Sequence, residues 1–259
     1  AHVLLVARSA EKLEETAAEI ATVGGVATIY QADVSDLADC DRLVAEVLEN
    51  HGFIDILLNN AGRSIRRSLE LSYDRFHDFE RTMQLNYFGC VRLINGVLPA
   101  MVKNKGGHII NISSIGCLVN APRFAAYVAS KSALDAFARS LSSEVKQDNV
   151  DISTIYMPLV RTPTIAPTKI YNYAPTWSVD KASSLVVDAA IHKTKRIKTF
   201  LGQTMEMSYA VAPKLNDSLL ARGFQLFPSS AKARGVKTED KAPTGETMAL
   251  AYLLRGTHL

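Results

Sequence analysis

The chain has 259 residues, of which 47% are hydrophobic and 21% charged, enough length and apolar content for one large α/β domain of globular type. A formal net charge of +3, with no basic stripe interleaved with aromatics, argues against a nucleic-acid binder. Three scattered cysteines (Cys40, Cys90, Cys117) form no CxxC pair and read as small buried residues of a reducing compartment. Six scattered histidines give a metal site no support. No signal peptide is evident and no uninterrupted apolar run reaches the ~18 residues that span a bilayer, so a cytoplasmic location is expected.

In chain order, residues 1–9 read as a strand of the buried type and 11–25 as an amphipathic helix ending at a glycine pair. Residues 26–35 are a strand with its exit loop. Residues 36–52 are a helix with acidic residues in its first turn, which suits the helix dipole. Residues 53–62 are a strongly apolar strand closing in NNAG, and 72–107 are one or two helices. A strand follows at 108–114, a helix at 125–145 and a strand at 150–157. This alternation specifies a Rossmann-type doubly wound parallel sheet with helices on both faces. From Pro158 the pattern changes: 158–177 holds four prolines, and its part from Ile165 to Trp177 reads either as a lid or as a packed loop. A helix with a basic tail is expected at 178–198, helix at 203–229, a flexible linker at 231–246 and an apolar docking segment at 248–256. The expected division is a catalytic domain over 1–200 and a helical extension over 201–259.

The chemistry concentrates between Asn111 and Lys131. Tyr127 and Lys131 are four residues apart, so they stack on one helix face. A nearby ammonium favours the phenolate, so Lys131 is expected to lower the Tyr127 pKa and make the phenol a general acid for a carbonyl oxygen. In a doubly wound sheet ligands bind at the carboxyl ends of the strands. NNAG (Asn59, Asn60, Ala61, Gly62) lies at one such end and Asp33 follows another; Asp33 reads either as an acceptor for an adenine amino group or as a helix N-cap, with Ser35 and Asp36 as competing caps. Arg8 ends the first strand, where an arginine accommodates the 2′-phosphate of NADP and an acid would grip the ribose of NAD. Asn86 sits in helical text and by itself reads as structural.

As an ordered set, NNAG, Asn86, Ser114 and the YxxxK at 127–131 resemble the short-chain dehydrogenase/reductase family, with the family's thirteen-residue spacing from Ser114 to Tyr127. The resemblance implies that Ser114 hydrogen-bonds the substrate carbonyl, Tyr127 donates the proton, Lys131 tunes it and holds the nicotinamide ribose, and Asn86 supports a relay water. It also implies NADPH held by Arg8, Asp33, Val34, Asn60, Ala61, Gly62, Tyr127, Lys131, Pro158, Val160 and Thr162. Residues 63–89, 157–178, 227–235 and 253–259 are similar to the bacterial fatty acyl-CoA reductases of this family, which implies reduction of a long-chain acyl-CoA to the aldehyde. In that reading Arg66 or Arg67 meets CoA phosphates by charge-assisted bonds. The alternatives are a ketone/secondary-alcohol oxidoreductase with the same triad and an inactive binding remnant. Nucleic acid is not an expected partner, membrane contact is at most peripheral, and a homo-oligomer is allowed.

Two departures accompany the resemblance. The family's glycine-rich TGxxxGxG, with its strand, has no counterpart in the sequence. The expected consequence is a truncated sheet whose second and fourth family strands lose a shared neighbour, and weak NADPH binding for want of a helix N-terminus at the pyrophosphate. Leu159 stands where the family usually has glycine.

Overall fold

The computed structural model describes residues 1–165 and 176–227, together with Tyr171, Ser229, Arg234 and Met248. The expected linker at 231–246 and apolar segment at 248–256, apart from Arg234 and Met248, lie outside the described residues, as do 166–170 and 172–175 of the expected lid.

β1 (His2–Ala7) runs parallel to β2 (Val26–Gln31), with α1 (Ala10–Thr22) crossing between them and Ser9 capping that helix. α2 (Leu37–His51) follows, capped by the Asp36 carboxylate at the Ala38 and Asp39 amides. A second parallel sheet contains β3 (Ile56–Asn59), β4 (Gly107–Ser114), β5 (Val150–Met157) and β6 (Arg196–Ile197), in that order. β4 and β5 form its centre, paired from Gly107–Val150 to Ser114–Met157. They are near-continuous apolar runs because both faces are covered. On one face Ile109 and Ile152 pack with Leu134, Ala138 and Leu141 of α6 (Ala125–Glu144). On the other, Ile110 and Ile155 pack with Ala189 of α7 (Val179–His192). The doubly wound α/β reading is therefore what the chain adopts.

The sheet is split where the sequence led us to expect a lost neighbour. β1 pairs with β2 and β3 with β4, and no ladder joins β1 to β3. The two sheets are nonetheless adjacent, because Leu4 and Ile54 both pack on the cluster of Tyr30, Leu43 and Val47. The expectation that β1 is a buried strand is corrected here. Val3 and Val6 of β1 are 38% and 39% exposed, and Ile56 and Leu58 of β3 are 43% and 42% exposed. Apolar residues in a strand are buried by neighbours on its edges and faces, and among the described residues β1 and β3 each have a paired strand on one edge only.

Residues 77–103 form one continuous helical run: α3 (His77–Met83), a π-helical turn (Gln84–Gly89) and α4 (Cys90–Lys103). Its 27 residues are long and apolar enough to cross a bilayer, yet Ile94, Val97 and Met101 are buried in the main core. The expected helix at 203–229 divides into α8 (Phe200–Val211) and α9 (Pro213–Leu226), because Pro213 starts a new helix and cannot continue the old one. α8 packs back on the short α5 (Gly116–Val119), where a Cβ on Gly202 would come within 2.9 Å of Leu118. The basic tail expected after α7 is instead the edge strand β6, which Lys193 reaches by turning through φ +51°. There Arg196 donates to the Tyr156 hydroxyl at 2.9 and 2.6 Å, and Tyr156 donates to Asp135 at 2.6 Å.

His108, 2% exposed in β4, bonds Ser153 at 2.8 Å through Nε2, and its Nδ1 has no partner among the described residues. Burial pushes its pKa below the ordinary value. The native state therefore holds His108 neutral, while the unfolded chain takes up the proton near pH ~6.5. Above that pH the contribution is constant. Below it, stability falls by up to ~1.4 kcal/mol per pH unit until the folded-state pKa is passed. Urea melts of wild type and His108→Gln at neutral and mildly acidic pH are expected to show a shallower acid loss in the variant. Identical losses would contradict the assignment.

Candidate active site

Ser114 is the last residue of β4 and Tyr127 stands in the first turn of α6, so the parallel sheet delivers the hydroxyl to the phenol. Ser114 is 1% exposed, and its Oγ accepts from the Gly116 amide at 3.0 Å. That leaves its proton free for the Tyr127 side chain, to which it is hydrogen-bonded. Around Tyr127 stands an apolar wall of Ile115, Val119, Phe124, Leu159, Tyr171 and Phe227. The departure at Leu159 thus places a side chain, 1% exposed, in the wall of the site.

Burial pushes the Tyr127 pKa up to about 12, against the downward pull of the Ser114 hydrogen bond. The expectation that Lys131 lowers it is not what this arrangement gives. Lys131 is 3% exposed, and its Nζ donates to the Ile112 carbonyl at 2.7 Å. Burial lowers the Lys131 pKa, and desolvation, not the ammonium, dominates at the phenol. A phenol so placed stays protonated at neutral pH, which is the state a proton donor needs.

Asn86 lies in the π-helical turn and is fully buried. The extra residue in such a turn re-aims side chains, and here it points the amide across the site. Its Oδ1 accepts from the Arg63 amide at 2.8 Å, and its Nδ2 donates to the Arg63 carbonyl at 2.8 Å and to Ser130 Oγ at 2.9 Å. Ser130 in turn donates to the Tyr127 carbonyl at 2.7 Å. Asn86 therefore fastens the turn after NNAG to the helix that carries Tyr127 and Lys131. Asn86→Ala is expected to leave buried polar groups unpaired and to cost about 3 kcal/mol, read as a thermal midpoint lower by roughly 6–12 °C. A midpoint within a degree of wild type would remove this role.

The residues expected to hold a nicotinamide cofactor line the carboxyl ends of the strands. Arg8 and Asp33 form an exposed ion pair at 3.7 Å beyond β1 and β2. Asp33 is not a helix cap: its Oδ1 takes the Ser35 amide at 2.9 Å and hydroxyl at 2.6 Å, leaving Oδ2 toward Arg8. The Ser35 hydroxyl bond is the largest influence lowering its pKa. Val34 is fixed by Gly89 of the π-helical turn, where a Cβ would lie 2.0 Å from the Val34 carbonyl oxygen. Asn60, Ala61 and Gly62 are exposed after β3. A Cβ on Gly62 would stand 3.3 Å from Lys131 Nζ and 3.4 Å from Asn86 Oδ1, so the bare backbone opens a cradle beside these two side chains. After β5, Val160 bridges Trp177: the Arg161 amide donates to the Trp177 carbonyl at 3.0 Å and the Trp177 amide to the Leu159 carbonyl at 2.9 Å, which pins Pro158–Thr162. The residues present fit the adenosine and nicotinamide ends of a dinucleotide. Among the described residues no glycine-rich turn lies between β1 and β3, so none is assigned to the pyrophosphate.

The sequence reading missed Ser130 and Arg123. Ser130 is the residue before Lys131, a small polar group three positions after Tyr127, and that spacing was its available signal. Arg123 has φ +68° just ahead of α6, and its carbonyl accepts from the Arg67 amide at 2.7 Å.

A doubly wound parallel sheet with a protonated phenol, a serine hydroxyl and a buried lysine at its carboxyl edge defines a Rossmann-type oxidoreductase. A family profile described as short chain dehydrogenase matches residues 1–170, and the chain belongs to that family. It is 57% identical over 235 residues to a fatty acyl-CoA reductase of Acinetobacter baylyi, covering 91% of this chain and 80% of the relative. To a fatty acyl-CoA reductase of Mycobacterium tuberculosis it is 42% identical over 221 residues, covering 85% and 75%. Among solved structures, a metagenomic short-chain oxidoreductase in complex with NADP superposes with a TM-score of 0.57 at 33% identity, over 60% of this chain and 69% of that one. A short-chain dehydrogenase from Streptomyces avermitilis superposes with a TM-score of 0.70 at 24% identity, over 86% and 88%.

Proposed function

We propose that this protein is an NADPH-dependent reductase that converts a long-chain fatty acyl-CoA to the aldehyde. The observation that carries the reading is the site itself: a protonated phenol and a serine hydroxyl, hydrogen-bonded to each other, in an apolar wall. The resemblance over nine-tenths of the chain to a fatty acyl-CoA reductase supports the substrate class.

When bound, NADPH supplies a hydride to the carbonyl carbon. The chain's own residues do the rest. Ser114 and Tyr127 donate to the thioester oxygen and stabilise the charge that develops there. Tyr127 gives up its proton as the carbon becomes tetrahedral, and the resulting hemithioacetal collapses to aldehyde with release of the CoA thiol. Lys131 would hold the nicotinamide ribose from beside the Gly62 cradle, and Asn86 would keep that cradle at its distance from α6. Arg8 would face the 2′-phosphate, with Asp33 and Val34 at the adenine. Asn60, Ala61, Gly62, Pro158, Val160 and Thr162 would line the nicotinamide half.

The discriminating assay follows NADPH oxidation at millimolar cofactor with palmitoyl-CoA and, separately, with simple ketones, while titrating free thiol. Thiol release equal to NADPH consumed supports the reading. Ketone turnover without thioester turnover would assign the protein to ketone/secondary-alcohol chemistry instead.

A further inference from the structure

The turn after β3 leads into an arginine whose backbone is held and whose side chain is not. Asn86 takes both backbone groups of Arg63: its Oδ1 accepts the amide at 2.8 Å and its Nδ2 donates to the carbonyl at 2.8 Å. Asn86 is fully buried, so the Arg63 side chain starts from a fixed point. The residue before it says where that point is. A Cβ on Gly62 would lie 3.3 Å from Lys131 Nζ, so Arg63 follows directly on the residue that abuts the lysine ammonium. Arg63 is half-buried, and among the described residues its guanidinium has no hydrogen bond, ion pair or ring contact. Other cations on the loops at the carboxyl ends of the strands are engaged. Arg8 pairs with Asp33 at 3.7 Å and Arg67 with Asp78 at 3.6 Å. Arg66 donates to the Phe227 carbonyl at 3.2 Å, Arg123 to the Phe224 carbonyl at 2.8 Å and Arg161 to the Thr176 hydroxyl at 3.1 Å.

A guanidinium drawn partly out of water gains most from an anion that matches its fork, and phosphate does so with two parallel charge-assisted bonds. Covalent chemistry decides which phosphate is within reach. In a nicotinamide dinucleotide the pyrophosphate is bonded to C5′ of the very ribose whose hydroxyls Lys131 would hold, a few bonds from Nζ. In an acyl-CoA the phosphates stand at the far end of the pantetheine arm from the thioester carbon, out of reach of a side chain anchored beside Lys131. We infer that Arg63 binds the pyrophosphate of the nicotinamide cofactor from its nicotinamide side. Asn86 then has a second task, since its grip on the Arg63 backbone sets the interval between this guanidinium and Lys131. The assignment rests on the NADPH reading above, and goes beyond it in giving the pyrophosphate a partner in this chain.

The test is a binding measurement and needs no turnover. NADPH is titrated with the full chain, without acyl substrate, and the fluorescence of the reduced nicotinamide is followed. In Arg63→Gln the Kd is expected to rise about 10- to 100-fold, the worth of hydrogen bonds to a charged group. Arg63→Lys should recover part of that loss, because the charge remains and the fork does not. Arg8→Gln removes the cation facing the 2′-phosphate, and in the double variant the two losses should multiply, because the guanidiniums meet different phosphates. The thermal midpoint of cofactor-free Arg63→Gln should match wild type, since the side chain bonds nothing among the described residues. The Kd for CoA alone, by calorimetry, should also be unchanged. An unaltered Kd for NADPH in Arg63→Gln, a double variant no weaker than the weaker single one, a lowered midpoint, or a loss of CoA binding would overturn the assignment. Failure of wild type to bind NADPH would remove the cofactor reading, and the assignment with it.

Discussion

Replacing Tyr127 by Phe is expected to lower kcat for thioester reduction by about three orders of magnitude, the range over which a positioned general acid acts. The ring remains, so its edge contact with Phe124 and its packing against the surrounding apolar cluster remain and the fold should be untouched. Only the hydroxyl and its bond to Ser114 are lost. KM for the acyl substrate should move little, because the hydroxyl is needed most when charge develops on the oxygen. The raised phenol pKa adds a second signature. The reaction needs the protonated form, and a group at about 12 keeps its proton throughout the range where the protein is handled. The wild-type reduction rate should therefore show no decline attributable to tyrosine ionisation between about pH 6 and pH 9. A descending limb in that range that disappears in Tyr127→Phe would show that Lys131 governs the phenol after all.

Gly89→Ala is expected to have the largest effect of any single-methyl addition in the described chain. The added Cβ would stand 2.0 Å from the Val34 carbonyl oxygen, a backbone atom that no rotamer change can move aside. Either the π-helical turn or the loop after β2 must shift. The turn carries Asn86 and the loop carries Asp33, so both ends of the proposed cofactor site would be disturbed. Overpacking of this kind costs about 3 kcal/mol, or roughly 6–12 °C in thermal midpoint. KM for NADPH should rise alongside it. Gly223→Ala is the matched control, since it lies in α9 with nothing within 4 Å of its added Cβ. It should be neutral, or stabilising by about 0.5–1 kcal/mol. Equal behaviour of the two variants would mean that Gly89 and Val34 are not in the close contact described.

The juxtaposition of Ser114, Tyr127 and Lys131 was readable because its information is local. A four-residue interval on a helix and a strand-end serine thirteen residues earlier fix Ser114, Tyr127 and Lys131 relative to one another before any long-range contact forms. β4 and β5 were readable for a similar reason, since a strand buried on both faces has to be apolar throughout. The same logic failed at β1 and β3. Val3, Val6, Ile56 and Leu58 have the composition of buried strands, but burial depends on a neighbour, and composition does not say whether one is present. The Tyr127 pKa was misjudged for a related reason: helix spacing puts an ammonium near the phenol, while the apolar cluster it is buried against draws on Leu159 and Phe227, far away in sequence. β6 was hidden because two residues cannot show a period. The π-helical turn at Asn86 was hidden because an extra residue in a helix leaves no compositional mark. The role of Arg123 depends on α9, about a hundred residues further along the chain.

Hydride transfer to a thioester carbon is the claim on which the rest depends. NADPH carrying deuterium at the transferable C4 position, incubated with palmitoyl-CoA and the protein, tests it directly by mass spectrometry of the product. The account predicts hexadecanal with one deuterium on the carbonyl carbon, formed in equal amount to free CoA and lost in Tyr127→Phe. Release of CoA with palmitate and without deuterium in any aldehyde would contradict it.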